Sequence, residues 1–321
     1  MKYTLLSGMI AAALVFTTPF VAAQDIKQAK TDYFKTHSLR IDRYSGAETA
    51  KYLNEDYASK VENCGGSSTP AFLCSGVLFR GTAAFSTSFH AWDPSPASQT
   101  SGGVSFSYLR ADAKFSKLAY SYNNGFIFYP YFYAPDNAGI DTNIDVLCSF
   151  PIDAASDSRS DKGCGAHSSY PNDSGPCQDQ DIFTAEEWYA HYVKGNRNHA
   201  YQCGFTVEDG SVYNIADGFY QTILSMATIA SESINEQNEL RLATWAQGKQ
   251  DSLPIEAFFY IKGNTSGLSS AQKNQQDFYN STTDHIWVPV IQMTLPANAS
   301  SDAAFVYQTS DQLVPEPASQ K

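Results

Sequence analysis

No run of lysine or arginine occurs anywhere along this chain. Its 21 basic residues are scattered and outnumbered by 33 acidic ones, for a formal net charge of −12. Binding nucleic acid requires clustered cations that displace counterions from phosphates, so no nucleic-acid partner is expected. Apart from the first residues, no stretch approaches the roughly 20 apolar residues that a membrane span requires. GxSxG, HExxH, phosphate-loop and CxxC motifs are all missing, which removes the commonest signatures of serine hydrolases, zinc peptidases, nucleotidases and zinc modules. Histidines stand only at 37, 90, 167, 191, 199 and 285, too dispersed to single out a triad. Among them His90, beside Trp92 and Asp93, suits a capping or core role.

What is present begins with a leader. Lys2, an apolar run from Leu5 through Val21, and the small residues Ala22 and Ala23 read as a signal peptide over 1–23, cleaved after Ala23. The mature chain is therefore expected outside the cytoplasm, secreted or periplasmic, with no membrane anchor. All six cysteines, Cys64, Cys74, Cys148, Cys164, Cys177 and Cys203, follow the leader. An even count in an exported chain points to disulfides rather than a metal site, the rival pair being His199 and Cys203. Short loops favour Cys64 with Cys74 and Cys164 with Cys177, which leaves Cys148 with Cys203.

Residues 24–310 show neither linker nor repeat and read as one domain. The tract from Asp153 to Asp181, poor in apolar residues, looks like a stapled excursion from it, and the tail 311–321, with Pro315 and Pro317, is expected to fray. Ser45 with Glu48 forms a capping box ahead of Ala50, Leu53, Tyr57 and Val61 at helical spacing. Thr184 with Glu187 repeats it before Trp188 and Tyr192, with Gly195 as the stop. Ile215, Phe219, Ile223 and Met226 mark a third helix. Strand-like runs cover 76–81, 103–109, 126–133, 144–152, 255–262 and 286–295, the last pushed by Pro289 to an edge or a bulge. Helices and strands without regular βαβ alternation give an α+β fold.

Three places carry possible chemistry. In the strand at 76–81, alternation sets Val77 and Phe79 on one face and Leu78 and Arg80 on the other, so Arg80 is a strand cation that must meet a carboxylate or a bound phosphate. In the strand at 103–109, Val104, Phe106 and Tyr108 face one way and Ser105, Ser107 and Leu109 the other, placing two hydroxyls side by side. Gln237 and Glu239 are two apart and point the same way if the segment is extended; if it is helical, Glu236 and Glu239 are a solvated face.

The order Arg80, Ser105 with Ser107, and Gln237-x-Glu239 resembles the ADP-ribosyltransferase toxins that carry an Arg, Ser and Glu signature. The strings CSGVLFRGT, HAWDPSP, GGVSFSYLRADAKF, GFIF, QCGF, NELRLATW and LPIEAFFY, spread over about Cys74 to Leu295, are similar to halovibrin-type secreted NAD glycohydrolases. The resemblance implies mixed sheets with flanking helices, the cysteine-rich tract being an insertion. It implies NAD as substrate, with no bound cofactor and no metal. Arg80 would bind the NAD diphosphate, Ser105 and Ser107 would hold the site together, and Glu239, preceded by Gln237, would act on the ribose. Phe106 stands where that family usually has Thr; it, or a nearby tyrosine, would stack on nicotinamide. A second STS string at Ser86, Thr87 and Ser88 lies too close to Arg80 to serve. Gln237 in place of a second Glu favours water as acceptor, hence a glycohydrolase; the alternative is a toxin that modifies a host protein. A different class, an aromatic-rich adhesin or carbohydrate-binding module, rests on the 14% aromatic content.

Overall fold

The computed structural model describes residues 45–65, 70–93, 104–128, 132–134, 139–141, 146–154, 159, 164–167, 176–206, 215–232, 237–242, 255–282 and 285–318; the leader, 1–23, lies outside them. Along the chain run helix α1 (Gly46–Ala58), strands β1 (Val77–Thr82), β2 (Val104–Leu109), β3 (Asn124–Phe128), β4 (Phe132–Ala134), β5 (Gly139–Asp141) and β6 (Val146–Phe150), helix α2 (Ala185–Lys194), strand β7 (Phe205–Thr206), helix α3 (Ile215–Glu232), strands β8 (Glu239–Leu242) and β9 (Ile255–Ile261), helix α4 (Thr265–Ser281), and strands β10 (Val290–Thr294) and β11 (Ala304–Tyr307). Among the described residues, nine strands form one sheet in the order β11-β10-β9-β3-β1-β2-β8-β6-β7, and β4 pairs with β5 apart from it. Within the large sheet β9 and β10 are parallel and the other pairs antiparallel. The α+β class holds.

Period-two alternation divides the sheet residues between two cores. One gathers Leu78, Val104, Phe106, Tyr108, Phe126, Phe128 and Phe258 under Phe219, Ile223 and Met226 of α3 and Ala271 and Phe278 of α4. The other gathers Val77, Phe79, Leu109, Ile127 and Phe259 under Ala50, Leu53 and Tyr57 of α1. Each fully buried aromatic contributes about 1.5 to 3 kcal/mol of transfer free energy. Both expected capping boxes form, Ser45 accepting from the Glu48 amide and Thr184 from the Glu187 amide. A smaller core of Ile152, Trp188, Tyr192, Phe205 and the Cys177–Cys203 bridge seats α2 beside the sheet end.

Several expectations are corrected. The disulfides are Cys64–Cys74, Cys148–Cys164 and Cys177–Cys203, so the expected pairs Cys164 with Cys177 and Cys148 with Cys203 do not form. Halving a loop gains only ~0.6 kcal/mol of closure entropy, and backbone pairing outweighs it. Pro176 bridges Gly204 in parallel and the Cys177 amide donates to the Gly204 carbonyl at 2.8 Å, which sets Cys177 against Cys203. Pro289 precedes β10 rather than deforming it, and β10 is flanked on both sides, by β9 and β11. The tail past Asp311, expected to fray, is held at several points. Tyr260 donates to Asp311 at 2.6 Å, Trp287 Nε1 to the Val314 carbonyl at 2.9 Å, and the Gly46 amide to Glu316 at 3.0 Å. Val61, expected to extend the first helix, lies beyond it and is exposed. Among the described residues, no helix is long and apolar enough to cross a membrane.

Candidate active site

Adjacency in the sheet brings together residues far apart in the chain, because β1, β2 and β8 are neighbours. Across the β2–β8 ladder Ser105 pairs with Arg241 and Phe106 with Leu240. Period two then sets Glu239 and Arg241 on the Ser105 face and drives Leu240 and Leu242 into the first core. Asn238 fixes this register: its Oδ1 accepts from the Tyr108 amide at 2.8 Å and its Nδ2 donates to the Tyr108 carbonyl at 2.7 Å. A side chain thus continues the ladder up to the residue before Glu239.

Glu239 is 2% exposed. Its Oε1 accepts from the Ser105 hydroxyl at 2.6 Å, the short distance of a charge-assisted bond, and its Oε2 accepts from the Ala154 amide at 3.0 Å. The Ser105 oxygen in turn accepts from Arg241 Nη1 at 2.8 Å, and that guanidinium stands 3.8 Å from Glu239 Oε1. Burial, then the neighbouring Asp153 charge, push the Glu239 carboxyl up from its ordinary value, while Arg241, the Ser105 hydroxyl and the Ala154 amide pull it down.

Arg80 leaves β1 half-buried and donates from Nη1 to the Ser105 carbonyl at 2.9 Å. Its charge is felt by Arg241, Tyr122 and Glu239; burial and then Arg241 lower its pKa to about 10, so it stays a cation at neutral pH. Among the described residues, no carboxylate lies within ion-pair distance of it. The guanidinium therefore bridges to the neighbouring strand through one main-chain bond, with further donors left over.

The other expected site residues sit differently. Phe106 is 2% exposed and packs against Phe126 and Phe128 in the first core, so it presents no ring to a ligand; its alternation with Ser105 sends it to the opposite face. Ser107 is also 2% exposed, paired across the ladder with Phe79, and offers no surface to a substrate. Gln237 is extended beside Glu239, but its amide is engaged: Oε1 accepts from the Ala119 amide at 3.0 Å and Nε2 donates to Asp153 at 3.1 Å. His90 bonds Asp277 of α4 at 2.7 Å and stacks on Trp92 while partly exposed, a tertiary ion-pair position rather than the expected cap or core role. Cys203 is in a disulfide, which removes the pair with His199, and among the described residues no group of three metal-ligating side chains exists.

Sequence reasoning missed Arg241, Asp153 and Arg159. Arg241 carried a usable signal, since the alternation that aligned Gln237 with Glu239 also aligns Arg241. Arg159 and Asp153 carried none, because loop residues are placed by tertiary contacts. No family model and no curated protein matches this chain.

Proposed function

We propose that this protein is an NAD glycohydrolase, cleaving the bond between nicotinamide and ribose with water as acceptor. The observation that carries the reading is the Ser105 hydroxyl on the Glu239 carboxylate across β2 and β8, with Arg80 of β1 bonded to the Ser105 main-chain carbonyl. The resemblance to the Arg, Ser and Glu transferases asks for this junction, and with it for their fold.

The chemistry follows from charge. Nicotinamide in NAD is already cationic, so the glycosidic electron pair leaves with it and no general acid is needed; the barrier lies in the positive charge that develops on ribose. Glu239 faces that charge and accepts from a ribose hydroxyl. Arg80 offers its remaining donors to the diphosphate as a fork. Water then adds to the ribose carbon and loses a proton, giving ADP-ribose. Glu239 is buried, so the carboxylate must be uncovered for NAD to reach it.

Water is favoured over a protein acceptor because the Gln237 amide, which would orient an incoming side chain, is spent on Ala119 and Asp153. The disulfides are consistent with work outside the cytoplasm. Incubating the purified disulfide-bonded protein with NAD should release nicotinamide and free ADP-ribose in equal amounts. Nicotinamide release without free ADP-ribose would point to a transferase, and no release from a folded sample would overturn the reading.

A further inference from the structure

Arg159 is 5% exposed, and among the described residues no carboxylate lies within ion-pair distance of it. Its three nitrogens are instead spread over main-chain carbonyls: Nε to Ala154 at 3.4 Å, Nη1 to Gly165 at 3.3 Å and Nη2 to Gln202 at 3.1 Å. The guanidinium also lies 4.6 Å from the centre of the Phe150 ring, and Phe150 is the cross-strand partner of Glu239. Each carbonyl has a purpose in this frame. Ala154 is the residue whose amide holds Glu239 Oε2, Gly165 follows Cys164, and Gln202 precedes Cys203. A cation left underground without a contacting anion is costly, and a fold tolerates that cost where the charge is used.

We propose that Arg159 is a positioning residue for Glu239: it gathers the two disulfide-anchored segments behind the carboxylate and holds the Ala154 amide on it. The planar guanidinium spreads directed donors over three separate carbonyls, a span that a compact ammonium does not match. Cys148 pairs with Arg241 in the β6–β8 ladder, so its bridge to Cys164 ties the frame to the strand that carries Glu239. The charged groups around that carboxylate are Arg241 on β8, Asp153 after β6, Arg80 on β1 and Arg159 itself. Of these, Arg159 alone belongs to the cysteine-rich tract beyond Ala154. The Glu239 charge favours the Arg159 cation, so the two groups attract each other through space.

The inference rests on the proposed role of Glu239, and its test separates the two. The Glu239 carboxyl is titrated by NMR in protein labelled with carboxyl-13C glutamate, its signal assigned by its loss in Glu239→Gln, and kcat and KM for NAD are measured alongside. Arg159→Gln should move the Glu239 midpoint upward and lower kcat about tenfold or more with KM within about twofold, because binding by Arg80 is untouched. Arg159→Lys should move both in the same direction by less. If Arg159→Gln fails to fold, Arg159→Lys decides alone. A folded variant whose Glu239 midpoint stays at the wild-type value overturns the inference, whatever its activity. A shifted midpoint in a protein that never cleaves NAD keeps the inference and removes the glycohydrolase reading.

Discussion

Water barely reaches Glu239, so its neighbours decide its charge. Burial and Asp153 raise its pKa from the ordinary 4.5, and the proposed chemistry needs the ionised form. The kcat/KM profile between about pH 4 and about pH 8 should therefore show an acidic limb above the usual carboxylate range. A limb at ordinary carboxylate pH would mean that another group governs turnover. The same shift has a thermodynamic sign. A carboxyl raised in the folded state holds its proton more tightly there, so its stabilising contribution is complete below 4.5 and is lost as pH climbs through the raised value. The melting temperature of the wild type relative to Glu239→Gln, which has nothing to titrate, should fall across that window. At this scale much of the site was legible. The Ser105 hydroxyl meets the Glu239 carboxylate and Arg80 reaches the Ser105 main chain, whereas Phe106 and Ser107 sit in packed interior. For Phe106 the alternation of the strand already held the answer, since a residue facing with Val104 and Tyr108 cannot also face with Ser105.

Among the elements, β8 is the one on which the site depends, and it was the hardest to read. Four residues, ELRL, place a glutamate and an arginine on one face, which in isolation looks like a solvated helix turn; only pairing with β2 and β6 makes it a buried strand. Asn238 secures that pairing. Asn238→Ala would leave the Tyr108 amide and carbonyl unpaired in the interior, and should cost about 2 to 3 kcal/mol in urea denaturation together with turnover per folded molecule. A loss below about 0.5 kcal/mol would show that the register is set elsewhere. Helix α4 escaped the apolar pattern for a related reason. Its buried face includes Ser270, Asn274 and Gln275, and Gln275 bonds the Val288 carbonyl and the amides of Leu313 and Val314. A face that buries polar side chains leaves no hydrophobic stripe to find. Helices α1, α2 and α3, with capping boxes or clean apolar spacing, were plain in the sequence.

For the whole molecule, the distribution of charge matters more than its total. A chain of net charge −12 surrounds Glu239 and Asp153 with Arg80, Arg159 and Arg241, drawn from three separate stretches. Such a concentration offsets the two carboxylates it surrounds, while the acidic remainder discourages polymeric anions. The α+β class was evident from element order, but the cysteine pairing was not, because loop entropy distinguishes the alternatives by less than one backbone bond. The role proposed for Glu239 is to stabilise the charge developing on the ribose of NAD. It is tested most directly by comparing Glu239→Gln with Glu256→Gln, a control on β9, in nicotinamide release and in calorimetric NAD binding. Turnover should fall at least about 100-fold for Glu239→Gln, with NAD still bound and the control unaffected. Near-normal turnover by a folded Glu239→Gln variant would contradict that role.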